Sequence, residues 1–234
     1  MIDVHFYPSP NGLKIPMMLE ECGLPYRIVE VNILRGAQFE PEFLRISPNN
    51  RIPAIVDHDA PGGPLSIFES GAILQYLAEK SGQLLPRDVH GRYEVLQWLY
   101  WQVAGLGPMA GQAHHFRAFA PEKIPYGIKR YTDEVNRLYG VLQRQLAGRE
   151  YIAGDYSIAD IACWPWIVPH ERQGQSLDDF PDVKRWFEAV RARPATQRAY
   201  AKGHERMADA EAYQFLYGQT AKSVDDRSRE HPQP

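Results

Sequence analysis

The sequence predicts a two-domain protein in which an α/β domain of order βαβαββα precedes an all-α domain. Over residues 1–82, short β-like runs alternate with stretches of helical periodicity. Over residues 92–205, strand signals nearly vanish and one helix-period segment follows another. The residues between them, 83–91, are polar and contain proline and glycine, which is typical of a linker.

In the first domain, the apolar alternation of Ile2, Val4 and Phe6 predicts a strand, and a helix-like stretch follows a short polar turn. The turn DAPGGP, residues 59–64, predicts a hairpin between the last two strands. The predicted elements are strand 2–7, helix 14–23, strand 26–32, a helical or irregular piece at 40–46, strands 52–57 and 65–70, and helix 71–81.

In the second domain, the segment SIAD matches a capping box, in which Ser157 caps a helix and the Asp160 side chain returns to the cap. The last residues, 206–234, form a C-terminal extension. After about residue 218 it has no apolar periodicity and ends in prolines, so we expect a mobile tail. The predicted helices of this domain are 92–106, 125–146, 157–172 and 181–193.

Composition and charge argue against several classes of function. The chain has 234 residues, a formal charge of -3 and scattered basic residues, so we expect no nucleic-acid partner. The N-terminus has no leader pattern, and no run approaches the ~20 apolar residues that span a bilayer. We therefore expect a cytoplasmic protein that does not bind membranes.

Cysteine and histidine usage predicts neither a disulfide framework nor a metal site. Of the two cysteines, Cys163 lies among apolar residues and Cys22 at the end of a predicted helix, so both are expected to be inert thiols. The adjacent His114 and His115 diverge on a helix and cannot easily share a metal. They either line a pocket or form a packed or solvated pair.

The segment PSPNG, which follows the first predicted strand, points to an anion site. A helix that begins here presents free backbone N–H groups and the positive end of its dipole. Two other places have both a structural and a functional interpretation. Pro53 suits the start of a strand as an ordinary trans-proline, where its missing N–H need not join the ladder, and Ser70 suits a helix cap. Glu69 and Ser70 together could instead hold the ammonium and carboxylate of an amino acid.

These features together resemble the cytosolic glutathione transferases, and within them the bacterial nu class, whose members act as glutathione-dependent disulfide-bond oxidoreductases. The resemblance covers residues 1 to about 205 and includes the βαβαββα order and the proline that opens the third strand. It implies a thioredoxin-like first domain, glutathione as cosubstrate and a homodimer. The segments that carry it are SPNG, FEPEFLRISPNNRIPAIVDHD, LSIFESGAILQYLAEK, LQWLYWQVAGLGPM, HHFRAFAP and YSIADIACWPW.

By this resemblance, Ser9 and Asn11 are the catalytic residues and face the sulfur of bound glutathione. In thioredoxin-like folds the turn after the first strand carries cysteines, whereas here it carries none, so the ligand supplies the thiol. Tyr7 is next to this turn, but it more simply continues the first strand.

The resemblance also implies the residues that bind the rest of the tripeptide. Glu69 and Ser70 hold the γ-glutamyl end, the acid on the ammonium and the hydroxyl or backbone N–H on the carboxylate. The Ile52 main chain, before a cis-Pro53, pairs with the cysteinyl part. The remaining two implied residues are Gln38, near the glycyl end, and Arg130, which reaches the glutathione of the neighbouring subunit.

The implied activity is reduction of small disulfides by thiol–disulfide exchange, with glutathione as the thiol and without a protein cysteine. Two alternatives remain open at this point. The same thiolate could conjugate to an electrophile or reduce a peroxide, and transferase-like folds also serve as non-catalytic binding modules.

Overall fold

A mixed sheet forms the centre of the N-terminal domain in the computed structural model, which describes residues 1–203, 215–217 and 219–230. Its strands are β1 (Ile2–Phe6), β2 (Tyr26–Glu30), β3 (Ala54–Asp57) and β4 (Leu65–Phe68). They lie in the order β2-β1-β3-β4. The β1–β2 pair is parallel, and β3 is antiparallel to both of its neighbours. This topology confirms the predicted βαβαββα order.

Three helices cover the two faces of the sheet: α1 (Pro10–Cys22), α2 (Pro41–Ile46) and α3 (Ser70–Ser81). Ile55 of β3 belongs to the large core beneath α1 and α3, whereas its neighbour Ala54 packs with Phe43 of α2. Successive strand residues point to opposite faces, so each face of β3 contacts a different helix. The helix predicted over 14–23 begins earlier, at Pro10, because Ser9 caps it and proline suits its first position.

A long helical run opens the second domain and differs from the single helix predicted over 92–106. It comprises α4 (Val89–Trp101), a π-helical segment (Gln102–Leu106), α5 (Gly107–His114) and a second π-helical segment (His115–Phe119). Single π turns inside α-helices are often found at functional sites. Both segments here lie beside the cleft described below.

The rest of the second domain agrees closely with the prediction where periodicity is strong. Helix α6 (Pro125–Leu146) has the predicted bounds, and helix α7 (Ile158–Ile167) begins with the predicted capping box of Ser157 and Asp160. Helix was predicted over 157–172, but the α-helix ends at Ile167. A short 3-10 helix, His170–Gln173, follows. The later helices are α7 (Ile158–Ile167), α8 (Pro181–Arg191) and α9 (Pro194–Tyr200), the last of which was not predicted.

Helix α1 joins the two domains into one core. It packs against α3 of its own domain and against α7 and α9 of the second. Its residues from Gly12 to Leu19 are all buried, including Lys14. The start of α1 therefore lies at the boundary between the domains.

The C-terminal extension lies partly against the first domain. It contains helix α10 (Ala221–Glu230), which was not expected from the sequence. Of the predicted extension 206–234, residues 206–214, 218 and 231–234 are outside the described residues, and its mobility after about residue 218 stays a prediction. Likewise, the domain boundaries at residues 82, 91 and 205 stay predictions. Within the described chain, no helix combines the length and the apolar character needed to cross a bilayer.

Candidate active site

A cleft between the two domains contains nearly all the residues that the sequence analysis selected. It consists of three adjoining cavities of 580, 430 and 280 Å³. Asn11, Glu69 and Ser70 line both the largest and the smallest cavity. Ser9 and Gln38 line the third, and Ile52 lines both the smallest and the third. The cavities thus form one continuous site around the start of α1.

The first turn of α1 determines which donors a ligand meets. Ser9 Oγ accepts a hydrogen bond of 3.0 Å from the Gly12 N–H, and its backbone oxygen accepts one from Leu13. The Ser9 hydroxyl hydrogen therefore remains available to a ligand. Pro10 has no N–H, so among the described residues the Asn11 N–H is the amide of this turn that has no protein partner. Gly12 is required here, since a Cβ would lie 2.2 Å from the Tyr7 carbonyl oxygen.

The side chain of Asn11 is oriented by a tryptophan of the second domain. The indole Nε1 of Trp166, on α7, donates a hydrogen bond of 2.9 Å to Asn11 Oδ1. Because an indole N–H can only donate, the amide oxygen must face Trp166. The amide nitrogen of Asn11 then points away from the tryptophan and is available to an acceptor in the cleft.

The junction between β4 and α3 places Glu69 and Ser70 beside Asn11. Glu69 has φ 70°, an uncommon value for a residue with a side chain, and strained backbone of this kind concentrates at ligand-binding positions. Its carboxylate is exposed, and Asn49 Nδ2 lies 3.5 Å from it. Ser70 is the first residue of α3, so the capping interpretation is wrong. Its buried hydroxyl instead accepts a hydrogen bond from Lys14.

The opposite side of the cleft contains Gln38 and the Ile52–Pro53 peptide bond, which is cis as the resemblance implies. Gln38 is buried, and its Nε2 donates to the backbone oxygen of Phe215 in the C-terminal extension at 2.8 Å. Gln219 of the extension accepts from Arg51 at 3.3 Å. The extension therefore contacts the residues that border the expected glycyl end of glutathione.

Lys14 is a part of the cleft that sequence analysis missed. Its side chain is 1% exposed, and its Nζ donates to Ser70 Oγ at 3.1 Å and to Gln102 Oε1 at 2.6 Å. Gln102 is the first residue of the first π-helical segment. Burial lowers the pKa of Lys14 to about 7. A lysine that interrupts the apolar run LKIPMML was the available signal in the sequence.

Aromatic and imidazole side chains form the wall of the largest cavity. His114 and His115 both line it, together with Phe119 and Tyr217. Burial, assisted by the positive charge of Arg172, lowers the pKa of His114 to about 4, so the imidazole is neutral near pH 7. Both imidazoles line this cavity and are also packed, His114 against Phe119 and His115 against Phe116, so the two interpretations hold together.

Neither cysteine of the chain lines the cleft. Cys163 is fully buried on α7, and Cys22 is partly buried at the end of α1, where it accepts a hydrogen bond from Ser81. Burial raises the pKa of both thiols and so disfavours the reactive thiolate. Among the described residues there is no group of three or more potential metal ligands.

Arg130 is the one predicted site residue that lies away from this cleft. It is exposed on α6 and lines a separate groove with Tyr126, Lys129 and Asp133. Within one chain the structure does not bring Arg130 to the other site residues. Trp98 and Trp101 pack against each other and the core.

Comparisons with known proteins identify the family. Residues 8–80 match the model of the N-terminal domain of glutathione S-transferases, and residues 106–194 match that of their C-terminal domain. The chain is 57% identical to the disulfide-bond oxidoreductase YfcG of Escherichia coli over 212 residues, which are 88% of this chain and 99% of that protein. The chain belongs to the glutathione transferase family. The thioredoxin-like architecture with an added helical domain is thereby confirmed.

Two solved glutathione transferases resemble this one along most of its length. The protein from Pseudomonas fluorescens, determined with two glutathione molecules bound, has a TM-score of 0.81 at 48% identity over 85% of this chain and 91% of that chain. The protein from Pseudomonas putida, determined with one glutathione disulfide per subunit, has a TM-score of 0.81 at 46% identity over 85% and 90%. The similarity to these two structures therefore extends over most of the chain.

Proposed function

We propose that this glutathione transferase reduces small disulfides, with bound glutathione as the reacting thiol. The observation that carries the proposal is the composition of the cleft. The start of α1 presents the Ser9 hydroxyl and the Asn11 amide where a thioredoxin-like protein carries a thiol, and both cysteines lie elsewhere. The relationship to the E. coli disulfide-bond oxidoreductase supports the same reaction.

In this proposal, glutathione lies along the cleft with its γ-glutamyl end at the start of α3. The exposed carboxylate of Glu69 pairs with the ammonium, and the Ser70 hydroxyl donates to the carboxylate. The main chain at Ile52 pairs with the cysteinyl residue, and Gln38 lies toward the glycyl end. The thiol then lies at the start of α1.

The first turn of α1 stabilises the thiolate. A free thiol has a pKa near ~8.5, and lowering it by about two units requires roughly 2.7 kcal/mol of preferential stabilisation of the anion. The donors at the site are the Ser9 hydroxyl, the Asn11 side-chain amide and the Asn11 N–H. One or two charge-assisted hydrogen bonds together with the helix dipole contribute energy of that order.

The proposed reaction consists of two exchanges. The glutathione thiolate attacks one sulfur of the substrate disulfide, the S–S bond breaks, and the departing thiolate takes up a proton. A second glutathione thiolate attacks the glutathione sulfur of the mixed disulfide and releases the second substrate thiol. Two glutathiones are oxidised to one glutathione disulfide while one substrate disulfide is reduced. The largest cavity, which adjoins the thiol position, receives the substrate or the second glutathione.

We propose further that the active form is a homodimer. Apolar and aromatic side chains are exposed on β4 and α4, among them Phe68, Tyr93 and Tyr100. Such exposed groups favour an interface. In the proposed two-fold dimer, Arg130 reaches the partner's glutathione across the boundary. A monomer in sedimentation at about micromolar concentration contradicts this arrangement.

The proposed setting is the cytoplasm, where glutathione keeps thiols reduced. This location suits a reaction that consumes two reduced glutathiones in each cycle. Membership of the nu class is part of the same proposal.

The decisive experiment measures retention on immobilised glutathione and then glutathione-dependent reduction of a small dialkyl disulfide. We expect retention and stoichiometric formation of glutathione disulfide. Conjugation of an aryl halide without disulfide reduction would assign the conjugating activity instead. Retention with neither reaction would indicate a binding module.

A further inference from the structure

Lys14 connects the two domains beneath the cleft. It lies on α1, and its ammonium donates to Ser70 at the start of α3 and to Gln102 in the π-helical segment that follows α4. It also lines the largest cavity, next to Asn11 and Glu69. The buried side chain of Lys14 thus connects Ser70 of the first domain with Gln102 of the second domain beneath the cleft.

This cation lacks an anionic partner within the described residues. No ion pair joins Lys14 Nζ to a carboxylate of the described residues, and its two hydrogen-bond acceptors are neutral. Burying a charge without its counter-charge is unfavourable, because the charge loses its hydration and gains no opposite charge in return. The ionisable groups that face Lys14 are Glu69, which precedes α3, and Cys163 on α7. Burial raises the pKa of the Cys163 thiol and so keeps it protonated. An anion in the cleft would supply the missing charge.

The hydrogen-bond chemistry of lysine also determines how Ser70 is used. In its charged form Lys14 has three hydrogens and no lone pair, so Ser70 Oγ is the acceptor of this bond whenever the lysine is protonated. The hydroxyl hydrogen of Ser70 is then directed elsewhere and can be donated to a ligand oxygen. Ser70 lines the largest and the smallest cavity, where the γ-glutamyl carboxylate is placed by the proposed function.

We propose that Lys14 is a positioning residue for glutathione, which orients the Ser70 hydroxyl toward the α-carboxylate of the γ-glutamyl group and supplies its counter-charge. This inference rests on the proposed function. Gln102 holds the ammonium from the second domain, so the π turn at Gln102 contributes to ligand binding without touching the ligand.

A pH dependence of binding follows from this arrangement. Burial lowers the pKa of Lys14 to about 7, so the unliganded ammonium loses its proton just above neutrality. A bound carboxylate favours the charged form, and binding is therefore strongest at acidic pH. The affinity should fall as the pH rises through about 7.

The test uses S-methylglutathione, because the blocked thiol removes thiolate formation from the titration. Calorimetry is performed between about pH 6 and pH 8.5 on the wild type, Lys14→Met and the exposed control Lys184→Met. We expect Lys14→Met to weaken binding roughly tenfold to a hundredfold at the acidic end, with a smaller difference at the alkaline end. Lys184→Met should match the wild type.

A double-mutant cycle tests whether Lys14 acts through Ser70. Lys14→Met should have a smaller effect in a Ser70→Ala background, because the oriented hydroxyl is already absent. Equal affinities of wild type and Lys14→Met overturn this inference while the proposed function stands. If Lys14→Met does not fold, a wild-type affinity that is constant from about pH 6 to pH 8 overturns it as well. No binding of S-methylglutathione by the wild type overturns both.

Discussion

Trp166 and Asn11 are 155 residues apart in sequence, yet the indole nitrogen donates to the amide oxygen at 2.9 Å. This bond crosses from the helical domain to the start of α1. It holds one side of the Asn11 amide against the protein and leaves the nitrogen for the ligand. The helical domain therefore contributes to the cleft by orienting a residue of the first domain.

Removing the indole N–H should lower activity while the fold persists. In Trp166→Phe the ring is largely retained, but the Asn11 amide loses the bond that selects its orientation. We expect a loss of roughly threefold to thirtyfold in kcat/KM for disulfide reduction, which corresponds to about one neutral hydrogen bond. Trp98→Phe is the matched control, since among the described residues Trp98 Nε1 has no hydrogen-bond partner. Equal activities of the two variants would contradict a positioning role for Trp166.

Asn11→Ala should have the larger effect. Removing one preorganised donor to an anion costs roughly tenfold to a thousandfold in rate. The pH profile should also move upward, because the bound thiol ionises less readily without that donor. Steady-state rates measured between about pH 6 and pH 9 test both expectations. An unchanged profile would assign the stabilisation to Ser9 and the Asn11 backbone N–H.

The double variant Cys22→Ala, Cys163→Ala should keep most of the disulfide-reductase activity. Neither thiol lines the cleft, and burial raises the pKa of both. A modest loss of stability is expected from the small cavity at the fully buried Cys163. Circular dichroism establishes that the variant is folded before its rate is measured. A folded but inactive variant would show that a protein thiol takes part in the chemistry.

Glu69→Ala should weaken glutathione binding by about 2–4 kcal/mol, because the ammonium of the ligand loses its charged partner. Glu69→Gln keeps the size and shape of the side chain but removes its charge. It therefore separates the contribution of the charge to binding from that of the side-chain packing. Glu188→Ala is the control, since Glu188 of α8 is only partly exposed and does not line the cleft. If calorimetry finds the same affinity for Glu69→Ala and Glu188→Ala, the γ-glutamyl group binds elsewhere.

The buried ammonium of Lys14 should also be visible in the pH dependence of stability. Its pKa is about 7 in the folded protein and returns to the ordinary value of 10.5 on unfolding. Between these values the unfolded chain binds more protons, so this group makes the free energy of unfolding rise with pH. Lys14→Met removes that contribution. Its stability relative to wild type should therefore be most favourable near pH 7 and decline toward about pH 10 in denaturant titrations.

The elements that sequence analysis predicted best are those whose signals are local. The Ser157–Asp160 capping box and the bounds of α6 agree because cap chemistry and periodicity lie within one helix. The cleft residues Ser9, Asn11, Ile52, Glu69 and Ser70 also come together, since the family motifs place them at the ends of adjacent elements.

The missed features depend on contacts between distant segments. Lys14 was not selected as a site residue, because its acceptor Gln102 is 88 residues away in the sequence. The π turns change the register of a helix, and no glycine, proline or other turn residue in the sequence is needed to produce them. Helix α10 is strongly polar, with Ala221 and Val224 as its apolar residues. Such features arise from packing, which a local pattern does not encode.

The absence of a protein sulfur at the start of α1 has a consequence for resistance to damage. In the proposed reaction the attacking sulfur arrives with one glutathione and leaves with the product, so it is renewed in every cycle. Peroxide that carries this sulfur to the sulfinic state destroys a replaceable tripeptide, whereas the same oxidation of an active-site cysteine inactivates the enzyme. The protein should therefore withstand oxidative bursts and regain full turnover once the reduced tripeptide is replenished.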